Sequence, residues 1–346
     1  MKSLNGILFQ DMKLKNDQKN KFPPQSAGRK MTEKVPFAFP EERILDVKNK
    51  LFRKIKEFET INYIYVIDGE KKLIGVFSIK EIFKRAEDTK IKEIMQTEIV
   101  KTHPFTDQER VAILALKHNL KSIPVVDKAD RFLGVVSSDT ILNILDSENV
   151  EDILRFAGIQ KFDSISPRKY FKTPIKIMIS ARLPWLIVGL FGGILAAQII
   201  GFFEHSLEEK IILAAFIPLI TYMADAISTQ TETLFVRNIA FDPQMNIKKF
   251  LSKEIKIGIF IALVSGSLVA SYSLLRFQSP YLGVVLGISL FSATFFAILV
   301  GVFIPWLINK FKKDPALGTG PLTTVLQDVL SVATYFIIAT VLLNII

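Results

Sequence analysis

From Arg182 onward the chain runs in five apolar stretches, over about 183–203, 209–236, 254–275, 281–309 and 321–345. Each meets the roughly 20 residues needed to cross ~30 Å of hydrocarbon, so residues 181–346 are expected to form an all-α membrane domain of five transmembrane helices. The rest of the chain differs in kind. Residues 1–180 hold 33 of the 44 Lys and Arg and 25 of the 34 Asp and Glu, leaving 11 and 9 for the remainder. That asymmetry excludes a single soluble globule and predicts a soluble domain followed by a membrane domain. A mean hydropathy of +0.33 and 28 Phe fit the same division. The net charge of +10 has its source in basic flanks beside the spans.

Those flanks set the orientation. Arg168, Lys169, Lys172, Lys176 and Arg182 precede the first span; Arg237, Lys248, Lys249, Lys253 and Lys256 lie between spans two and three; Lys310, Lys312 and Lys313 lie between four and five. The opposite loops carry only Lys210 and Arg276. The expectation is a multi-pass protein of the cell (plasma) membrane with its N-terminus cytoplasmic and its C-terminus outside. The basic flank Arg168–Lys176 suits anionic lipid heads. Nucleic acid is not expected, because no aromatic platform accompanies it.

The soluble half contains an internal repeat. Ile64–Asp68 and Leu73–Ser78 align without a gap with Ile123–Asp127 and Phe132–Ser137. Each copy reads as an apolar strand, an Asp-containing turn, a second strand ending in Ser, and then a helix. Amphipathic helices, Glu41–Phe58 and Thr106–Asn119, stand upstream of each. Neither copy alone can bury both faces of so small a sheet. The pattern resembles a tandem CBS-domain pair of α+β fold, with one repeat over 31–90 and a second over 91–147. Residues 1–30, polar and basic with Pro23–Pro24, read as a flexible tail, without an apolar run long enough for a signal peptide. Residues 148–180 read as a linker whose helix ends at Gly158. The absence of Cys excludes disulfides, thiolate metal sites and Cys nucleophiles.

Chemistry is expected in the membrane half. Asp225, Glu232 and Asp328 lie within spans, each costing roughly 2.5–3.5 kcal/mol at a helix centre, and no basic residue lies deep enough to neutralise them. Unpaired intramembrane carboxylates are best explained by a cation path. Asp225 and Glu232 are seven apart, on one helix face, with Ser228 and Thr229 in the turn between and Thr221 extending the stripe. Thr324, Asp328 and Ser331 make a second stripe on the fifth span. Two such stripes facing one another would line a hydrophilic pore. With His205 in an outer loop, hard oxygen ligands suit Mg²⁺, Ca²⁺ or Mn²⁺, and few carboxylates with hydroxyls suit Mg²⁺ particularly. The bland alternatives are a capping carboxylate at Asp328, a hydrogen bond from Thr221 or Thr229 to Asp225, and a merely solvated Glu232 at the cytosolic mouth.

Three segments carry a closer resemblance: Ala181–Leu186, Pro218–Ala240 with its Gln230, Glu232 and Arg237, and Asp314–Val329 with Pro321, Thr324 and Asp328. With the order of CBS pair, linker and five spans, they resemble the MgtE magnesium channel/transporter family. The resemblance implies a dimeric, non-enzymatic, CBS-gated Mg²⁺ channel or transporter, with Asp328 holding hydrated Mg²⁺ at the dimer axis. Ala224-Asp225-Ala226 stands where the family usually has Gly-Gly-Asn, Ser228 replaces a Gly, and Gly320 replaces an Asn. The family's acidic superhelical domain is not expected in the 30 residues before the repeats. Asp146, Glu148, Glu151 and Asp152 stand where the family's cytosolic Mg²⁺-sensing acids gather, although a solvated helix start explains them equally well. CBS pairs hold adenine nucleotide with a strand-end Ser or Thr and a helix-start Asp. Ser137 and Asp139 fit that pattern, and Ser78 fits it in part, followed only by Glu81. Two other functions fit the residues: an ion-gradient-coupled divalent cation exporter, in which Asp225 and Glu232 carry counter-ions, and a membrane-tethered nucleotide or cation sensor without transport. No P-loop or catalytic constellation points to an enzyme.

Overall fold

The computed structural model describes residues 21–160, 170–203, 211–311, 313–316 and 318–343. Residues 1–20, Arg168, Lys169, His205, Lys210 and Lys312, all used above, lie outside them. The described chain forms two units, divided at Asn149/Val150.

In the first unit each repeat builds the expected elements. Repeat one contains β1 (Phe37–Ala38), α2 (Ile44–Lys54), β2 (Tyr63–Ile67), β3 (Leu73–Ser78) and α3 (Glu81–Lys84), preceded by a short α1 (Ala27–Lys30). Repeat two contains α4 (Gln108–Lys117), β4 (Ser122–Val126), β5 (Phe132–Ser137) and α5 (Ser138–Phe156). The hairpins share one register: Ile64 faces Phe77 as Ile123 faces Val136, and Tyr63 faces Ser78 as Ser122 faces Ser137. Burial explains why. Alternate residues of β2 and β4 must face a helix, and slipping by one would turn them all to water. Ile64, Val66 and Phe77 pack under Ile44, Val47 and Leu51 of α2, and Ile123, Val125 and Val136 under Val111 and Ala115 of α4.

The two sheets meet at Val35, Tyr65, Leu73, Val126 and Val135. There the Tyr65 ring stacks on Phe132 at 5.0 Å, and its hydroxyl lies 2.6 Å from Ser122 Oγ. Burial pushes the Tyr65 phenol upward and keeps it neutral.

Two expectations need correction. Residues 21–30 are not a tail. Ala27 and Met31 are buried in the second repeat's core, and the Ala27 and Gly28 amides donate to the Thr106 and Pro104 carbonyls. The basic composition hides these two apolar anchors. The linker helix is also not a separate element, since α5 runs unbroken from Ser138 to Phe156. No Pro or Gly interrupts it. Gly158 then ends it with φ +70°, a left-handed conformation glycine adopts without cost.

The second unit contains five helices long and apolar enough to cross a membrane: α6 (Ile175–Phe202), α7 (Ile217–Phe241, preceded by a 3₁₀ turn over Ile211–Phe216), α8 (Ile247–Phe277), α9 (Pro280–Lys310) and α10 (Thr319–Leu343). α9 is the central helix, with Leu286, Leu290, Ala293 and Ala297 buried against Ala224 and Ile227 of α7 and Val332, Tyr335 and Phe336 of α10. α6 leaves Leu183, Leu186, Leu190 and Phe191 exposed, as a lipid- or partner-facing span must.

Candidate functional site

α10 starts at Thr319, where Gly318 turns the chain at φ +69° against the Trp185 indole. That turn sets the helical register so that Pro321, Thr324, Val325 and Asp328 face one cleft of about 670 Å³. The cleft is completed by Arg182, Trp185, Leu186, Gly189 and Gly193 of α6 and by Thr229 of α7. Phe156, Ala157, Gly158 and Ile159, the end of α5 and the turn after it, form another wall. Close approach is what Gly320 allows: a Cβ there would collide with the Phe156 carbonyl. Its place in a family motif that usually has Asn therefore has a local steric reason.

Asp328 is half-buried in this cleft, and none of the ion pairs of the described residues includes it. Thr324, one turn earlier, donates its hydroxyl to Asp225 Oδ1 at 2.8 Å, which ties α10 to α7. Asp225 is near enough for its charge to act on both Asp328 and Glu232. The expected meeting of two polar stripes therefore occurs through Asp225, Thr324 and Asp328, with Thr229 beside them. Hydroxyl and carboxylate oxygens in this largely apolar cleft suit a hydrated dication, held through its waters. Arg182 shares the cleft, a basic group that the reading of the spans placed only at their edge.

Glu232 and Ser331 do not join this face. Glu232 is 2% exposed, and Ser331 is fully buried with its hydroxyl donating to the Asp328 carbonyl. Seven residues make two turns of a helix, but α7 is covered by α9 near Glu232 and is open near Thr229. A shared stripe does not guarantee a shared neighbour. The same interior holds residues that pattern reading missed. Thr319, Thr323 and Gln327 of α10 are buried at four-residue spacing, which was visible in the sequence as a stripe of its own. Glu254 of α8 is 8% exposed and accepts from Thr231 Oγ1 at 3.4 Å. Lys253 and Lys256 flank it in the sequence.

The linker acids are also engaged. Glu151 pairs with Arg155, which also pairs with Asp314 in the loop before α10. Asp152 is partly buried, and that burial raises its carboxyl above the usual range, against the pull of Arg237 and Arg155. Asp146 is exposed, and Glu148 accepts from Gln108 Nε2 at 2.5 Å. Among the described residues no three His, Cys, Asp or Glu side chains converge on one metal position.

In the first unit a smaller cleft of about 270 Å³ opens between the hairpins, lined by Tyr63, Ser78, Gln96, Glu98, Ser122 and Pro124 among others. Ser78 is thus placed at this cleft. Ser137 is not: it is 4% exposed and lies 3.0 Å from Thr140 Oγ1, capping the start of α5, while Asp139 points to solvent. Two residues that align perfectly in the repeat differ because α5 begins at once after β5, whereas β3 is followed by a turn before α3.

Comparison with known proteins agrees with this organisation. The CBS-domain family matches residues 27–88 and 91–147, and the MgtE family, described as a divalent cation transporter, matches residues 217–338. The magnesium transporter MgtE of Bacillus subtilis (strain 168) is 33% identical over 328 residues, covering 93% of this chain and 71% of the relative. That of Thermus thermophilus is 31% identical over 327 residues, covering 94% and 71%. Among solved structures, the cytosolic domain of the Mg²⁺ channel MgtE in complex with ATP is 31% identical, with a TM-score of 0.36, and covers 37% of this chain. The match spans about half, 52%, of that domain. On the extent of its likeness to these transporters, the chain belongs to the MgtE family.

Proposed function

We propose that the protein carries Mg²⁺ across the cell membrane as a homodimer, along the face formed by Asp328, Thr324 and Asp225. The observation that carries this reading is Asp328, a carboxylate with no ion-pair partner among the described residues, in a cleft that a membrane helix would otherwise fill with apolar groups. One protomer provides one such wall. A two-fold axis beside α10 provides the second at no cost in sequence, and the exposed apolar face of α6 is free to meet a partner or lipid. The basic loops favour a cytoplasmic N-terminus. Lys172 and Lys176, with the exposed Phe171 ring, suit anionic headgroups at that surface.

Gating falls to the end of α5. Phe156–Ile159 stands at the cleft, held by Arg155 through Glu151 and Asp314. Regulatory Mg²⁺ at Glu151 and Asp152 has to compete with arginines, so inhibition by cytosolic Mg²⁺ is weak compared with a purely carboxylate sensor. The hairpin cleft at Ser78 suits the adenine nucleotide expected of a CBS pair.

Reconstituted into liposomes, the wild-type protein admits Mg²⁺, and Asp328→Ala folds and inserts but does not. Parallel assays with Mn²⁺, Co²⁺ and Ca²⁺ rank the ions, and Cys pairs introduced along α10 of this Cys-free chain crosslink across the dimer. Wild-type flux in Asp328→Ala, or a fully active monomer, would refute the reading.

A further inference from the structure

The interior face of α10 and the facing side of α7 enclose polar atoms outside the proposed Mg²⁺ path. Glu232 is 2% exposed and its Oε1 has no hydrogen-bond partner. Ser228, one turn earlier on the same face, is fully buried with an unpartnered Oγ. From α10, the Thr319 and Thr323 hydroxyls approach the Glu232 carboxylate, and both are buried without a partner of good geometry. Gly301 of α9 closes the far side, packed on the Ser228 carbonyl and the Glu232 amide. The charge that acts on Glu232 is that of Asp225 on α7, and Glu254 of α8 accepts from the adjacent Thr231. No ion pair among the described residues includes Glu232.

Buried polar groups in native proteins are nearly always satisfied, and several unsatisfied oxygens in one place signal an absent partner. A carboxyl proton satisfies one acceptor. A bare cation satisfies a carboxylate and several hydroxyl oxygens together. The donors are hard oxygens, which select hard cations. A single carboxylate decides the charge: a monovalent ion leaves the site neutral, whereas Mg²⁺ leaves an excess charge and retains waters, here among side chains at most 2% exposed. We propose that Glu232, Ser228, Thr319 and Thr323 form a site for a small monovalent cation of the Na⁺ class inside each protomer, separate from the cleft at Asp328. The site goes beyond the Mg²⁺ reading and does not depend on it.

The test is thermal unfolding of the full-length protein in detergent, at fixed mildly alkaline pH, with NaCl replacing choline chloride at constant ionic strength. The wild-type midpoint is expected to rise saturably by about 2–4 °C, as for a ligand that binds only the folded state. Asp328→Asn is expected to keep that response, and Glu232→Gln to lose it. Thr323→Val and Ser228→Ala retain the charge and decide the matter even where Glu232→Gln fails to fold. Each is expected to raise the half-saturating Na⁺ concentration about tenfold, from the loss of one oxygen ligand. A wild-type midpoint that ignores Na⁺, including one that responds to pH alone, overturns the proposal. So does a Na⁺ response unchanged in the variants.

Discussion

The fifth span carries two polar faces of nearly equal oxygen content and opposite circumstances. On one, Thr324 and Asp328 look into a cleft, and Thr324 donates to Asp225. On the other, Thr319, Thr323 and Gln327 are buried against α7 and α9, each with an unpartnered oxygen. The contrast shows that polarity in a membrane helix does not by itself mark a conduction path. What separates the faces is access. Oxygens open to a cleft can exchange a hydrated ion, while oxygens sealed between helices can only hold something bare or remain unsatisfied.

Two substitutions are expected to change flux strongly. Thr324→Val removes the hydroxyl that positions Asp225, and Mg²⁺ flux in liposomes is expected to fall about tenfold, the equivalent of ~1.4 kcal/mol and of one charge-assisted hydrogen bond. Unchanged flux would detach Asp225 from the cleft face. Arg155→Ala frees the α5 end from Asp314, and flux at saturating cytosolic Mg²⁺ is expected to rise several-fold, consistent with the ~1–3 kcal/mol of a partly buried ion pair. A drop in flux would mean that the linker supports the open state instead.

How much of this was legible beforehand varies with the physics. The hairpins were, because period-two burial and the gapless alignment of Ile64 with Ile123 dictate their register. The spans and the Thr324–Asp328 pair were, because length and four-residue spacing suffice. The neighbours of each helix face were not. Nothing in the spacing of Asp225 and Glu232 reveals that Gly301 lets α9 cover one and leave the other near the cleft. The burial of Ser137 was hidden for a similar reason, since it depends on where α5 starts. Glu254 was hidden by its flanking lysines, and residues 21–30 by theirs.

Smaller effects sharpen the same comparison. Ser289, fully buried in α9 with an unpartnered Oγ, belongs to the sealed interior. Ser289→Ala is expected to leave flux unchanged and to be neutral or stabilising by up to ~1 kcal/mol in thermal unfolding, because it removes a buried group that has no bond to lose. A clear loss of stability would indicate an ordered water there. Asp152→Asn tests the linker. Burial raises the Asp152 carboxyl, so its charged form opposes folding above the folded pKa, and that penalty fades as pH falls through it. Wild type is therefore expected to gain stability relative to Asp152→Asn on acidification toward the ordinary aspartate value of 3.8. Parallel pH profiles would show that Arg237 compensates the burial completely.

Gln327 and Asp328 are adjacent in the chain, and α10 seals the first and opens the second to the cleft. Mg²⁺ flux through Asp328→Asn and Gln327→Leu, measured side by side in liposomes at matched protein incorporation, tests the assignment of the path most directly. Flux is expected to vanish in Asp328→Asn, which keeps the shape and loses the charge, and to persist near the wild-type rate in Gln327→Leu. Flux that survives in Asp328→Asn, or that is lost only in Gln327→Leu, would place the path on the other face and contradict the account.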